Sequence, residues 1–223
     1  MLKISKNWEL TAYQLKMIAL ISMLLDHVAR IFLPHLYILK MVGRLAFVLY
    51  SFLLVEGFVH SKNLKQYFIR LLVFAVLSEI PFDLAFYGTW LEASHQNVFF
   101  SLSAGLLSLF VVSSKKLASD LKVLYVVGLV TLCNILRFDY YYLGVFQVLC
   151  FYAYRSSVVK KFLTVGILNV FYMFRISIQS VAVVGFLPIY LYNGKEGKKT
   201  GLLYYTYYPL HLLIYWVIRR FLI

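Results

Sequence analysis

The run Met17 to Leu33, MIALISMLLDHVARIFL, constrains this chain more than any other stretch, because it is long and apolar enough for a membrane helix yet carries Asp26 and His27 side by side. As a helix it places that pair about 15 Å beyond Lys16, near the middle of a hydrocarbon layer about 30 Å thick. A titratable side chain at that depth costs several kcal/mol unless it faces the protein interior and finds a partner. Asp26 and His27 are therefore candidates for chemistry. A structural pairing of Asp26 with an arginine on a neighbouring helix would satisfy the same constraint.

Composition extends the argument to the whole chain. Hydrophobic residues make up 62% of the sequence and charged residues 14%, and apolar runs recur along all 223 residues. That balance predicts a single polytopic membrane domain over residues 1–223. The net charge of +13 does not point to nucleic acid, since Lys and Arg sit in short segments between apolar runs, as in cytoplasmic membrane loops. The two cysteines, Cys133 and Cys150, lie inside apolar runs without metal-ligand spacing and read as buried small side chains. The first run lacks a small-residue cleavage site and further spans follow it, which argues against a removed signal peptide.

Taken in order, a short basic leader from Met1 to Lys16 contains Lys3 and Lys6 and predicts a cytoplasmic start. Spans are expected at Met17 to Leu33, from near Met41 to His60, at Tyr67 to Phe86, and at Asn97 to Ser114. They continue at Val123 to Leu136, Tyr140 to Tyr154, Phe162 to Phe174, Ile176 to Tyr192 and Leu202 to Ile223. Pro81 is expected to kink or end the third. The fold class is all-α, a membrane helical bundle of about nine spans, with lysine-rich loops on the inside and the C-terminus outside. Arg219 and Arg220 are the exception, to be met by snorkelling or by a count that is off by one.

By depth, most polar residues converge on the central to outer half. Adjacent helical residues point about 100 degrees apart, so Asp26 does not orient His27, and the imidazole needs Glu79, Asp83 or His211 from another helix. Glu79 and Asp83 are four apart and share a face if the helix survives Pro81, where they would receive Arg44 together or hold one proton between them. A plain ion pair is the alternative. Glu56, His60 and Arg70 lie nearer the cytoplasmic face and read as structural.

Ordered blocks then carry a resemblance: KMIALISMLLDH from Lys16, GRLAFVLYSFLLVEGF from Gly43, RLLVFAVLSEIPFDLAF from Arg70, NVFFSL from Asn97, YLGV from Tyr142, LYNGKEG from Leu191 and YYTYYPLHLL from Tyr204. The chain resembles the TraX family, which is linked to N-acetylation of pilin and is similar in outline to larger membrane acyltransferases with a histidine in an early span. The resemblance implies a multi-pass protein of the bacterial plasma membrane that moves an acetyl group from acetyl-CoA to an amine or hydroxyl of a protein, glycan or lipid acceptor. His27 would act as general base or acyl carrier, and Arg44 would stabilise charge on the thioester oxygen. Glu79 or Asp83 would fix the imidazole tautomer, with Asp26 beside it, and His211 in YPLH is a second candidate base. Asn193 would order the cytoplasmic mouth, where Lys195, Lys198 and Lys199 would meet CoA phosphates. Positive-inside bias is the simpler explanation of those lysines. Two other classes remain open: a proton-coupled transporter or channel, and a non-catalytic assembly factor.

Sidedness is testable directly. In a background lacking Cys133 and Cys150, Ser94→Cys is expected to react with a membrane-impermeant thiol reagent added outside, and Lys198→Cys is not. Outside labelling at 198, or none at 94, contradicts the topology.

Overall fold

The computed structural model describes residues 9–172 and 178–222. Lys3 and Lys6 of the leader, the end of the seventh expected span at Phe174, the start of the eighth at Ile176, and Ile223 lie outside the described residues. Among the described residues the only regular elements are helical: α1 Ala12–Ile31, α2 Tyr37–His60, α3 Leu64–Tyr87, α4 Val98–Ser113, α5 Ser119–Ile135, α6 Tyr141–Ala153, α7 Val158–Val170, a 3-10 segment Ile178–Gly185 leading into α8 Phe186–Tyr190, and α9 Leu203–Phe221.

Capping, rather than hydropathy, sets where several helices begin. Thr11 and Gln14 form a reciprocal capping box, which starts α1 at Ala12, well before its apolar run. Asn63, Asn97 and Ser157 cap α3, α4 and α7 through their side chains. Gly88, at φ 74°, closes α3 in the left-handed conformation that glycine adopts without strain. Pro81 does not end α3, which continues to Tyr87. It is buried in the bundle, where packing against neighbouring helices holds the chain on course despite one missing N–H.

The eighth expected span is not a continuous α-helix. Its 3-10 stretch rises about 2.0 Å per residue against 1.5 Å in an α-helix, so few residues cover more height. A buried amide chain holds this segment to α2, α6 and α7. Gln147 donates to Ser51 (2.9 Å), Asn169 donates to Gln147 (2.6 Å) and Gln179 donates to Asn169 (2.8 Å).

The sequence between α8 and α9 is docked rather than free. Leu10 pairs with Tyr192 as an isolated parallel bridge, and the carbonyls of Lys195 and Glu196 accept the N–H groups of Ala12 (2.8 Å) and Tyr13 (3.0 Å). Those donors head α1 and have no partner inside it. Gly197, at φ 72°, approaches so closely that a Cβ there would lie 2.7 Å from the Thr11 hydroxyl. At the opposite end of the bundle, Gln96 bridges to Phe138, and Arg219 donates to the Ala85 carbonyl at 3.3 Å, which gives one of the C-terminal arginines a partner.

Several helices keep apolar faces uncovered, α3 and α5 among them. α5 buries only Cys133 and exposes Val123, Leu124, Val127 and Ile135, while α3 exposes Val73, Val76, Leu77 and Ile80. By length and composition α2 is long and apolar enough to cross a membrane, and α4, α6 and the 178–190 segment are shorter apolar helices.

The amide chain predicts a stability effect remote from any site. Gln147→Leu leaves buried Asn169 and Ser51 short of partners and is expected to cost about 1–3 kcal/mol, read as a lowered Tm. An unchanged Tm would show that the amides do not carry the 178–185 segment.

Candidate functional site

The site is built where α1, α2 and α9 meet. Gly43 lets the α1 and α2 backbones approach so closely that a Cβ there would sit 2.3 Å from Cβ of Asp26. The buried Asp26 carboxylate receives the guanidinium of Arg44 on one oxygen, and Arg30 Nε at 2.8 Å on the other. Arg44 also donates its Nε to the Lys40 carbonyl at 3.2 Å. Pairing of Arg44 with Glu79 and Asp83, expected from charge and depth, is thus corrected. The contact at Gly43 brings Asp26 within reach first, and the two α3 carboxylates are engaged by the loop that follows α3. Glu79 receives both the backbone and side-chain N–H groups of Asn97, and Asp83 receives the Glu92 N–H at 2.9 Å. In that loop the Ser94 N–H bonds Glu92 and holds its carboxyl below the ordinary range.

His27 is buried, and its partner is His211 of α9. His27 Nδ1 and His211 Nε2 are 2.7 Å apart with ring planes within 10°. His211 Nδ1 lies 2.9 Å from the Tyr207 carbonyl one turn earlier. A carbonyl oxygen only accepts, so His211 Nδ1 carries the proton, and in the neutral ring its Nε2 is an acceptor. The shared hydrogen bond then runs from His27 Nδ1–H to His211 Nε2. His27 Nε2 is left unprotonated, a free base. Phe86 and Tyr208 pack edge-on against the His27 ring and fix its plane. The tautomer is therefore set by His211 and the Tyr207 carbonyl, in place of Glu79 or Asp83.

A cavity of about 700 Å³ opens at the end of the bundle that carries the docked 191–202 segment. Lys16, His60, Glu196, Lys199 and Thr200 surround its mouth, and Arg70 and several tyrosines line its wall. It reaches inward to Met23, Tyr50, Val98 and Tyr208. The same four residues bound a second void of about 30 Å³, lined by Asp26, His27, Arg30, Asp139 and Tyr140. A thin side-chain wall thus separates the large cavity from the histidine pair.

Of the expected mouth residues, Lys199 lines the cavity, whereas Asn193, Lys195 and Lys198 do not. The Asn193 side chain accepts the Lys195 N–H at 3.0 Å and its backbone N–H donates to the Leu10 carbonyl, so it shapes the turn. Arg44, Glu79 and Asp83 line neither space, and Arg30 stands beside His27 instead. Arg30 follows Asp26 by four residues, a spacing that points both to one helix face. The Tyr207 carbonyl leaves no trace in side-chain types.

The family model described as TraX protein matches residues 11–219. The chain is also 32% identical to a probable fimbrial assembly protein, FimC of serogroup H1, from Dichelobacter nodosus, over 98% of this chain and 99% of that relative. No solved structure matches.

The Asp26 clamp predicts asymmetric mutational costs. Arg44→Ala leaves Asp26 buried with a single guanidinium and is expected to destabilise by about 3 kcal/mol, part of which the double change Asp26→Ala/Arg44→Ala restores. Thermal unfolding checks this, and additive losses in the double variant would show that the two residues act independently.

Proposed function

Because the chain belongs to the TraX family, we propose that it is a multi-pass membrane acetyltransferase that takes an acetyl group from cytoplasmic acetyl-CoA and passes it to an amine or hydroxyl of an envelope acceptor. A surface protein such as a fimbrial subunit fits a relative named as a probable fimbrial assembly protein. The exposed apolar faces of α3 and α5 support a lipid environment, since apolar patches of that extent are uncommon on soluble proteins.

One observation carries the reading: a cavity lined by Lys16, Arg70 and Lys199 runs from the 191–202 end of the bundle to a wall, and His27, hydrogen-bonded to His211 with its Nε2 unprotonated, borders the void behind that wall. In the reaction, the acceptor nitrogen or oxygen attacks the thioester carbonyl carbon while His27 Nε2 takes its proton. The new C–N or C–O bond forms, the C–S bond breaks, and the leaving thiolate recovers the proton from His27. During this step the imidazolium is steadied through its Nδ1–H bond to His211, which is oriented in turn by the Tyr207 carbonyl. Arg30 and Arg44, gathered by Asp26, supply positive potential near the developing oxyanion, with Arg30 the nearer to the void. Met23, Tyr50 and Tyr208 move aside to join the two spaces.

A purely assembly role has its own support in the name of the relative, and one experiment separates the two. Purified protein incubated with labelled acetyl-CoA and envelope extract is expected to release CoA and label an acceptor. His27→Ala is expected to lower that rate by about 10²–10⁴-fold without loss of folded protein, and His211→Ala to lower it less. Wild-type-like turnover of His27→Ala removes the base assignment, and absence of transfer by the native protein favours the assembly role.

A further inference from the structure

We infer that Arg70 and Lys16 form a phosphate-ester site in the mouth half of the large cavity, and that they, rather than Lys195 and Lys198, anchor the donor. The inference rests on the acyl-CoA reading above and adds to it the residues that hold the donor.

Arg70 stands in the second turn of α3 on the cavity wall. Among the described residues no carboxylate lies within ion-pair distance of it, its buried Nε has no hydrogen-bond partner, and its guanidinium carbon sits 5.6 Å from the centre of the Tyr205 ring. Partly buried cations are ordinarily paired with an acid, and this one is met by the Tyr205 side chain, to which it also hydrogen-bonds, with its Nε left unpartnered. Its planar fork suits phosphate oxygens two at a time. Lys16 reaches the same cavity from α1. Its ammonium lies 5.6 Å from the centre of the Tyr204 ring and 3.5 Å from the Thr200 hydroxyl. Glu56 and Glu196 also border the cavity and face Lys161 and Lys16 respectively, and neither forms an ion pair with Arg70.

Depth makes the two cations a matched pair. Arg70 lies about 9 Å and Lys16 about 6 Å inward from the ends of their helices. From Lys16 to His27 is eleven residues of α1, about 16 Å along its axis. A ligand with its phosphates at the mouth and a flexible arm ending in a thioester would place the reactive carbon at the histidine pair. The tyrosines of the wall offer flat faces for a heteroaromatic base.

The test is calorimetric titration of the purified full-length protein in lipid nanodiscs with CoA and with adenosine 3′,5′-bisphosphate, which has the phosphates and base but no arm. Both are expected to bind the native protein. Arg70→Gln and Lys16→Gln are each expected to weaken both ligands by about tenfold. Lys195→Gln/Lys198→Gln is expected to bind as the native protein does. Arg70→Lys keeps the charge without the fork and is expected to fall between, which retains the test if Arg70→Gln does not fold. Native-like binding by the Arg70 and Lys16 variants, loss in the Lys195/Lys198 variant, or no binding of either ligand by the native protein overturns the site. Arg70-dependent binding without acetyl transfer would leave the site standing and remove the acetyltransferase reading. Transfer with Arg70-independent CoA binding would do the reverse.

Discussion

The close passage of α1 over α2 at Gly43 is the constraint on which the rest of the site depends. With no side chain at that position, Asp26 comes up against the α2 backbone, and Arg44 on the next residue is drawn onto its carboxylate. A buried anion clamped by two guanidiniums is expensive to disturb, so it fixes the rotation of α1 about its own axis. Because His27 follows Asp26 by one residue, about 100 degrees around the helix, that rotation turns its imidazole away from α2 and toward α9. The ion cluster and the histidine pair are thus two consequences of one helix orientation.

A division of labour along the bundle follows. The carboxylates Glu79 and Asp83 each place one oxygen on the 88–97 loop or the start of α4, so they organise that end of the bundle instead of the imidazole. At the opposite end, the 191–197 segment caps α1 with its own carbonyls and forms part of the cavity mouth. Between the two ends the cavity stops at Met23, Tyr50, Val98 and Tyr208. That barrier separates the large cavity from the small void beside His27.

Much of this is legible in the residue pattern, and the exceptions have physical causes. The apolar runs mark α1 to α7 and α9 to within a few residues, and depth singles out Asp26 and His27. The partners are harder, because charge and depth allow Arg44 several carboxylates, whereas the helix crossing at Gly43 allows one. The sequence allows His27 three partners, and only the placement of α9 separates His211 from Glu79 and Asp83. The Tyr207 carbonyl is a backbone group, and no side-chain pattern announces it. The 178–185 stretch is apolar enough for an α-helix, but amide contacts from Gln179 to Asn169 and Gln147 hold it as a tighter 3-10 coil. Arg70 reads as one more positive residue near the inner face until it is seen on the cavity wall with no ion pair among the described residues.

The central claim is that His27 is a neutral base whose free nitrogen is Nε2. Nitrogen-15 NMR of histidine-labelled protein in nanodiscs tests it directly, with the signals of the five histidines assigned through His27→Ala and His211→Ala. The account predicts that His27 and His211 both carry their proton on Nδ1, and that a scalar coupling across the shared hydrogen bond links His27 Nδ1 to His211 Nε2. A His27 ring protonated on Nε2, or no coupling between the two rings, would contradict it.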